Sequence, residues 1–167
     1  MNKKKSFNSS ERILSVSAIV IAVVSIVISV WEGIETRKHN RLSVMPKLEI
    51  TYKRSGDHFG YIVTNNGLGP AIIISKKILV DGQEINYSGF SGIEDFLEKL
   101  DLQDKFVKQG VIDPGYTIRA GDHVQIVLFT LTGVQNAEEL LMNVHNRVSI
   151  EIQYKSMYGD TYSCKTK

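Results

Sequence analysis

Nineteen consecutive residues without a charge, Ile13 to Trp31 (ILSVSAIVIAVVSIVISVW), constrain this chain more than any other feature. As a helix rising 1.5 Å per residue they span about 28 Å, close to the ~30 Å hydrocarbon core of a bilayer. Twelve of them are Ile, Val or Leu. At roughly 0.3–0.6 kcal/mol each near the bilayer centre, these favour insertion by about 4–7 kcal/mol before the serines offset part of it. Trp31 falls where an interfacial aromatic belongs. In water so many β-branched residues would suggest a buried strand, but strands do not run this long without a turn residue. A cleaved signal peptide has a shorter apolar region followed by small residues, which Trp31-Glu32-Gly33-Ile34-Glu35 does not supply. The sequence therefore predicts a basic tail over residues 1–12, an uncleaved transmembrane helix over 13–31, a basic juxtamembrane linker over 32–45 and a separate domain over 46–167.

Within the span Ser15, Ala18, Ala22, Ser25 and Ser29 step by three and four, so they lie along one helix face. Small residues on one face let helices approach closely, and serine hydroxyls can bond across the contact. Self-association, or docking on a partner helix, is the expectation. Arg37, Lys38 and Arg41 follow the span closely enough to touch anionic lipid head groups, each contact contributing ~1 kcal/mol. Lys3, Lys4, Lys5 and Arg12 precede it. Four basic residues against three lean towards a cytosolic N-terminus and a domain on the far side of the membrane.

The texture changes at Pro46. Leu48, Ile50 and Tyr52 alternate with polar residues, as a half-buried strand requires. Further strands are predicted over 59–65, 71–80, 116–119, 123–131, 147–155 and 161–165, with Gly159-Asp160 as a two-residue hairpin turn. Ser91 and Glu94 have capping-box spacing, and behind them Ile93, Phe96, Leu97 and Leu100 share one helix face. Asn136 heads a shorter helix with Leu140, Leu141 and Val144 inward. Alternating strands separated by turns predict a mainly β domain. The expected form is an antiparallel, immunoglobulin-like β-sandwich with a short helical insertion over 91–108, and a small barrel is the alternative.

Charge excludes one class of partner. Seven of the 20 Lys and Arg precede Pro46, but only three of the 18 Asp and Glu, so the domain keeps 13 basic against 15 acidic residues. A nucleic-acid-binding domain needs a basic surface to neutralise phosphates. Cys164 is the only cysteine, so no intramolecular disulfide and no Cys-x-x-Cys pair exist; on an alternating strand it reads as a small buried hydrophobe beside Tyr162. His39, His58, His123 and His145 lack metal-ligand spacing. Gly89-Phe90-Ser91-Gly92 reads as a helix cap rather than a nucleophile elbow, and Gly67-Leu68-Gly69 as a tight connection with positive φ rather than a phosphate loop. Asp95, Glu98 and Asp101 read as a solvated helix face. The residues thus predict no catalytic, metal or cofactor site.

The runs Arg37-x-His39-Asn40-x-Leu42-Ser43-Val44-x-Pro46, Asn66-Gly67-Leu68-Gly69-Pro70-Ala71 and Tyr154-x-Ser156-x-Tyr158-Gly159-Asp160 resemble those of uncharacterised bacterial proteins with one N-terminal helix and a β-sandwich. The resemblance implies a single-pass protein of the bacterial cytoplasmic (inner) membrane and carries over no functional residue. Three functions compete. The first is a non-enzymatic protein-interaction or assembly module in contact with lipid. The second is a membrane effector of a defence or toxin system that oligomerises through its helix and disturbs the bilayer. The third is an enzyme or carbohydrate binder whose site is assembled from distant loops. Filling the small-residue face with Ala22→Leu and Ser25→Leu is expected to weaken cross-linking between chains in membranes; unchanged oligomers would remove that role.

Overall fold

The computed structural model describes residues 9–85, 92–130 and 132–166, without the side chains of residues 106 and 107. The tail lysines Lys3, Lys4 and Lys5, and Ser91 of the expected capping box, lie outside the described residues. Two units form the chain: a helical one ending at Leu42, and Ser43–Lys167.

The first unit is α1, a 35-residue helix over Ser9–Ser43 with no buried residue. Its length of about 52 Å exceeds the hydrocarbon thickness. The segment read as a linker is therefore helical as far as Ser43. Glu32, Glu35, Arg37, Lys38 and Arg41 are good helix formers, Gly33 costs only about 1 kcal/mol, and the first proline is Pro46. Glu11 in the first turn and Arg41 in the last complement the helix dipole. From Ile13 to Trp31 the large apolar side chains are 47–71% exposed on every side of the helix. Among the described residues this is the one helix long and apolar enough to cross a membrane.

In chain order the second unit carries β1 (Leu48–Ser55), β2 (His58–Asn65), β3 (Ala71–Val80), β4 (Gln83–Ile85), α2 (Ile93–Leu100), a 3-10 turn (Gln103–Lys105), β5 (Phe106–Gln109), β6 (Thr117–Ile118), β7 (His123–Thr130), α3 (Ala137–Arg147), β8 (Val148–Lys155) and β9 (Thr161–Lys165). One antiparallel sheet has the order β1-β2-β7-β5; the other has β4-β3-β8-β9, with β6 also on β3. The content is mixed rather than mainly β, because α1 alone holds 35 residues. Neither pairing path returns to its start, so the described strands do not close into the alternative small barrel.

The sheets pack through alternating residues. Phe59, Tyr61 and Val63 of β2 and Phe129 of β7 meet Ile73, Ile78, Ile150, Ile152 and Tyr154 in one core. β3 changes parity on the way: its register against β8 slips between Ile73 and Ser75. Ala71 and Ile73 therefore point inward before the bulge, Ile78 and Val80 after it, and Ile74 is turned out. The same shift half-buries Lys76, whose ammonium is held below the ordinary lysine range by burial, against the opposing charge of Asp113.

The insertion is only partly helical. Phe96, Leu97 and Leu100 of α2 are buried as the spacing predicts, but the chain then forms β5 at the edge of the first sheet. α2 is entered from Gly92 at φ 82°, with no side-chain cap bond. The β8–β9 connection is a five-residue loop over 156–160, not a two-residue turn, since Lys155 pairs with Thr161. Buried Ser156 closes it: its hydroxyl accepts from the backbone N–H groups of Tyr158 (3.1 Å) and Asp160 (3.2 Å).

A polar knot joins the pieces. Asn65 ends the inward row of β2 and is fully buried. Its Oδ1 accepts from Lys47 N–H (3.1 Å) and Gly67 N–H (3.0 Å), and its Nδ2 donates to the carbonyls of Gly69 (2.8 Å) and Ile118 (3.0 Å). Its own backbone pairs with Asp122 O and Gly121 N. Gly67 and Gly69 are absent from the positive-φ residues, which corrects the expectation for that loop. They are glycines because a Cβ on either would overlap backbone atoms of the Val44–Lys47 segment. Replacing Asn65 by Ala strands four backbone groups, two of them donors and two acceptors, and an unsatisfied buried group costs about 1–3 kcal/mol. Asn65→Ala is expected to lower the unfolding free energy of the full chain in detergent by about 3–5 kcal/mol, read from the denaturant midpoint; a loss below about 1 kcal/mol would show the knot is dispensable.

Candidate functional site

β1 and β9 are the outer strands of the two sheets on one side of the domain. Leu48, Ile50 and Tyr52 of β1 and Tyr162 and Cys164 of β9 turn towards the core, while Thr51, Ser163 and Lys165 face solvent. Between the two edges opens a groove of about 490 Å³, lined by residues 48–52, Tyr61, His145 and residues 164–166.

Register determines which backbone groups face this opening. Lys47 O accepts from Asn66 N, so the groups of Lys47 point to β2, and by alternation so do those of Glu49 and Thr51. The N–H and C=O of Ile50 and Tyr52 point away from β2, and no strand pairs with them among the described residues. On the other side Thr166 N donates to Ile150 O. By the same alternation Cys164 and Tyr162 bond to β8, and Ser163 and Lys165 present their backbone outward. At the start of β1 the edge is already fastened: Leu48 N donates to the Tyr154 hydroxyl of the opposite sheet at 3.2 Å.

Two phenols form the floor. The Tyr52 and Tyr61 rings meet edge to face at 5.4 Å, and His145 of α3 lies 5.6 Å from the Tyr52 ring. Tyr61 is 1% exposed. Both hydroxyls are buried, and among the described residues neither has a hydrogen-bond partner. Burial pushes the Tyr52 phenol up to about 12, with the Arg54 charge opposing. Burial also raises Tyr61, and the neighbouring Tyr52 adds to the effect. Near neutral pH both are protonated, so each is a donor without an acceptor. A buried donor in that state costs about 1–3 kcal/mol. Beside them the half-buried Cys164 thiol is pushed up to about 11 by burial, so it packs as the sequence suggests and is a poor nucleophile.

The residues singled out from sequence lie elsewhere. Ser15, Ala18, Ala22, Ser25 and Ser29 share a face of α1, and the hydroxyls of Ser15, Ser25 and Ser29 each donate at 2.8 Å to the carbonyl four residues earlier. Arg37, Lys38 and Arg41 are exposed near the end of α1; Arg37 and Arg41 share a face and Lys38 is turned about 100° from Arg37. His39, His58 and His123 are exposed, as are Asp95, Glu98 and Asp101 on the outer side of α2 and at its end. Among the described residues no group of three or more His, Cys, Asp or Glu is arranged to hold a metal ion. Tyr52, Tyr61 and Asn65 were not singled out as polar sites, although all three sit at inward positions of alternating strands, where a polar atom needs a partner.

These observations define a class: a membrane-helix-bearing protein with a folded domain of two packed antiparallel sheets. The chain belongs to the family described as Domain of unknown function (DUF8453), which matches residues 13–167 and so takes in both the apolar helix and the sheets. No curated protein matches the sequence.

The phenols set an alkaline limit. Below pH 10 they hold their protons in both folded and unfolded chains. Between pH 10 and about 12 the unfolded chain releases protons that folded Tyr52 retains, so stability falls as pH rises through that window. Unfolding midpoints measured at increasing pH are expected to drop there, and less steeply in Tyr52→Phe; identical slopes would show that Tyr52 is not held protonated.

Proposed function

We propose that the chain is a single-pass, membrane-anchored, non-enzymatic interaction module whose domain binds another protein. The observation that carries this reading is the groove between two outer strands, with the backbone groups of Ile50, Tyr52, Ser163 and Lys165 turned outward. Such rows are templates for pairing with another chain. Support for the anchor comes from α1, whose large apolar side chains are exposed along its whole uncharged run. Arg37, Lys38 and Arg41 lie close enough to the span to touch lipid head groups. The small-residue face is the helix surface we assign to self-association. Its serine hydroxyls are engaged by their own backbone, so contact there rests on close packing. The domain is read as immunoglobulin-like in the loose sense, on the extracytoplasmic side of a bacterial cytoplasmic membrane.

A photo-crosslinking side chain at Thr51 or Ser163 in native membranes is expected to give a discrete protein adduct, where the same group at Glu98 on α2 gives none. The chain itself is expected to resist extraction by alkaline carbonate. Adducts that are equally weak at all three positions would sink the binding role, and release into the carbonate wash would sink the anchor.

A further inference from the structure

We infer that the groove between β1 and β9 receives an extended acidic peptide segment, which adds to the β1 edge and brings an Asp or Glu carboxylate to the hydroxyls of Tyr52 and Tyr61. This deepens the interaction reading above and rests on it. Three observations specify the occupant. The outward N–H and C=O groups of Ile50 and Tyr52 repeat at the two-residue spacing of a strand, a pattern matched by a polypeptide backbone. Beneath them the two phenol hydroxyls are buried donors without acceptors among the described residues, and Tyr61 is 1% exposed. A donor in this state is satisfied once an incoming strand parts the side chains that cover it and supplies an acceptor, and a charged acceptor makes the stronger bond.

The third observation is charge. Lys47, Lys53 and Arg54 flank or belong to β1, and Lys165 stands on the opposite lip with His145 beside Tyr52. The one acid of β1, Glu49, also lines the groove and keeps its charge while it accepts from Asn66 Nδ2 at 2.7 Å. Lys47, Lys53 and Arg54 outnumber that one acid along β1, so an acidic strand meets a net positive edge and a basic one a net like charge. Lysines along the edge also discourage pairing with a second copy of this strand.

The test uses the full chain in lipid nanodiscs and a phage-displayed library of linear peptides of about twelve residues, enough to cover an edge strand. Selection on wild type is followed by removal of peptides that also bind the Tyr52→Phe, Tyr61→Phe double variant. The expected survivors carry an Asp or Glu within a β-branched run. As synthetic peptides they are expected to bind Tyr61→Phe about tenfold or more weakly, the loss of one hydrogen bond to a charged acceptor. N-methylation of alternate backbone amides is expected to abolish binding. Tyr61→Phe also removes an unsatisfied donor, so its unfolding midpoint is expected to equal or exceed that of wild type. No surviving peptide, survivors rich in Lys and Arg, unchanged affinity for Tyr61→Phe, or a lowered midpoint in that variant would each overturn the assignment. So would a wild-type dimer paired through β1. Adducts at Thr51 or Ser163 that persist in the double variant would leave the broader interaction reading standing while removing this one.

Discussion

One buried amide does more to organise this domain than any apolar contact. Apolar side chains fix that the two sheets face each other, but burial is non-directional and sets no strand's start. Asn65 supplies direction. Its two donors and two acceptor bonds reach four different backbone stations, on the chain entering β1, in the β2–β3 loop and at the end of β6. β1 needs this, since it is bonded to a neighbour on one side only. With Lys47 held by Asn65 and Leu48 held by the Tyr154 hydroxyl, the strand is pinned where it leaves Pro46. Its register then puts Ile50 and Tyr52 at the open edge.

The remaining joints follow the same logic. Arg147 grips both carboxylate oxygens of Asp81 and the carbonyl of Lys99, tying the β3–β4 turn to the end of α2 and the start of β8. That hydrogen bonding holds the Asp81 carboxyl below the usual carboxylate range. Ser156 folds the β8–β9 loop back on itself. Two of the short runs that resemble other sequences are therefore structural joints: Gly67 and Gly69 lie against backbone, Tyr154 bridges the sheets, and Ser156 with Gly159 shapes a loop. The helix lives by a different rule. α1 satisfies its backbone internally and has no buried residue, which suits a solvent of hydrocarbon.

Much of the fold was legible because alternation is a local signal. Val148, Ile150, Ile152 and Tyr154 announce β8, and β3 and β9 begin and end where their turn residues place them. Where the local signal fails, the reason is physical. β5 is a four-residue edge strand too short to show a period. The bulge at Ile74 breaks alternation in mid-strand, so Lys76 looks solvent-facing in sequence and is half-buried in fact. The groove was not legible at all. Which strands are outermost is a property of topology, and the Tyr52 and Tyr61 hydroxyls lack partners only because of what surrounds them in three dimensions. The signal that was available, a polar atom at an inward position, is shared by Tyr154, which does find a partner.

The lone thiol has a wider consequence. Cys164 is the chain's single cysteine, and burial keeps it protonated near neutral pH. The chain therefore contains no internal disulfide for glutathione to reduce. No internal disulfide contributes to its stability, whether the surroundings are reducing or oxidising.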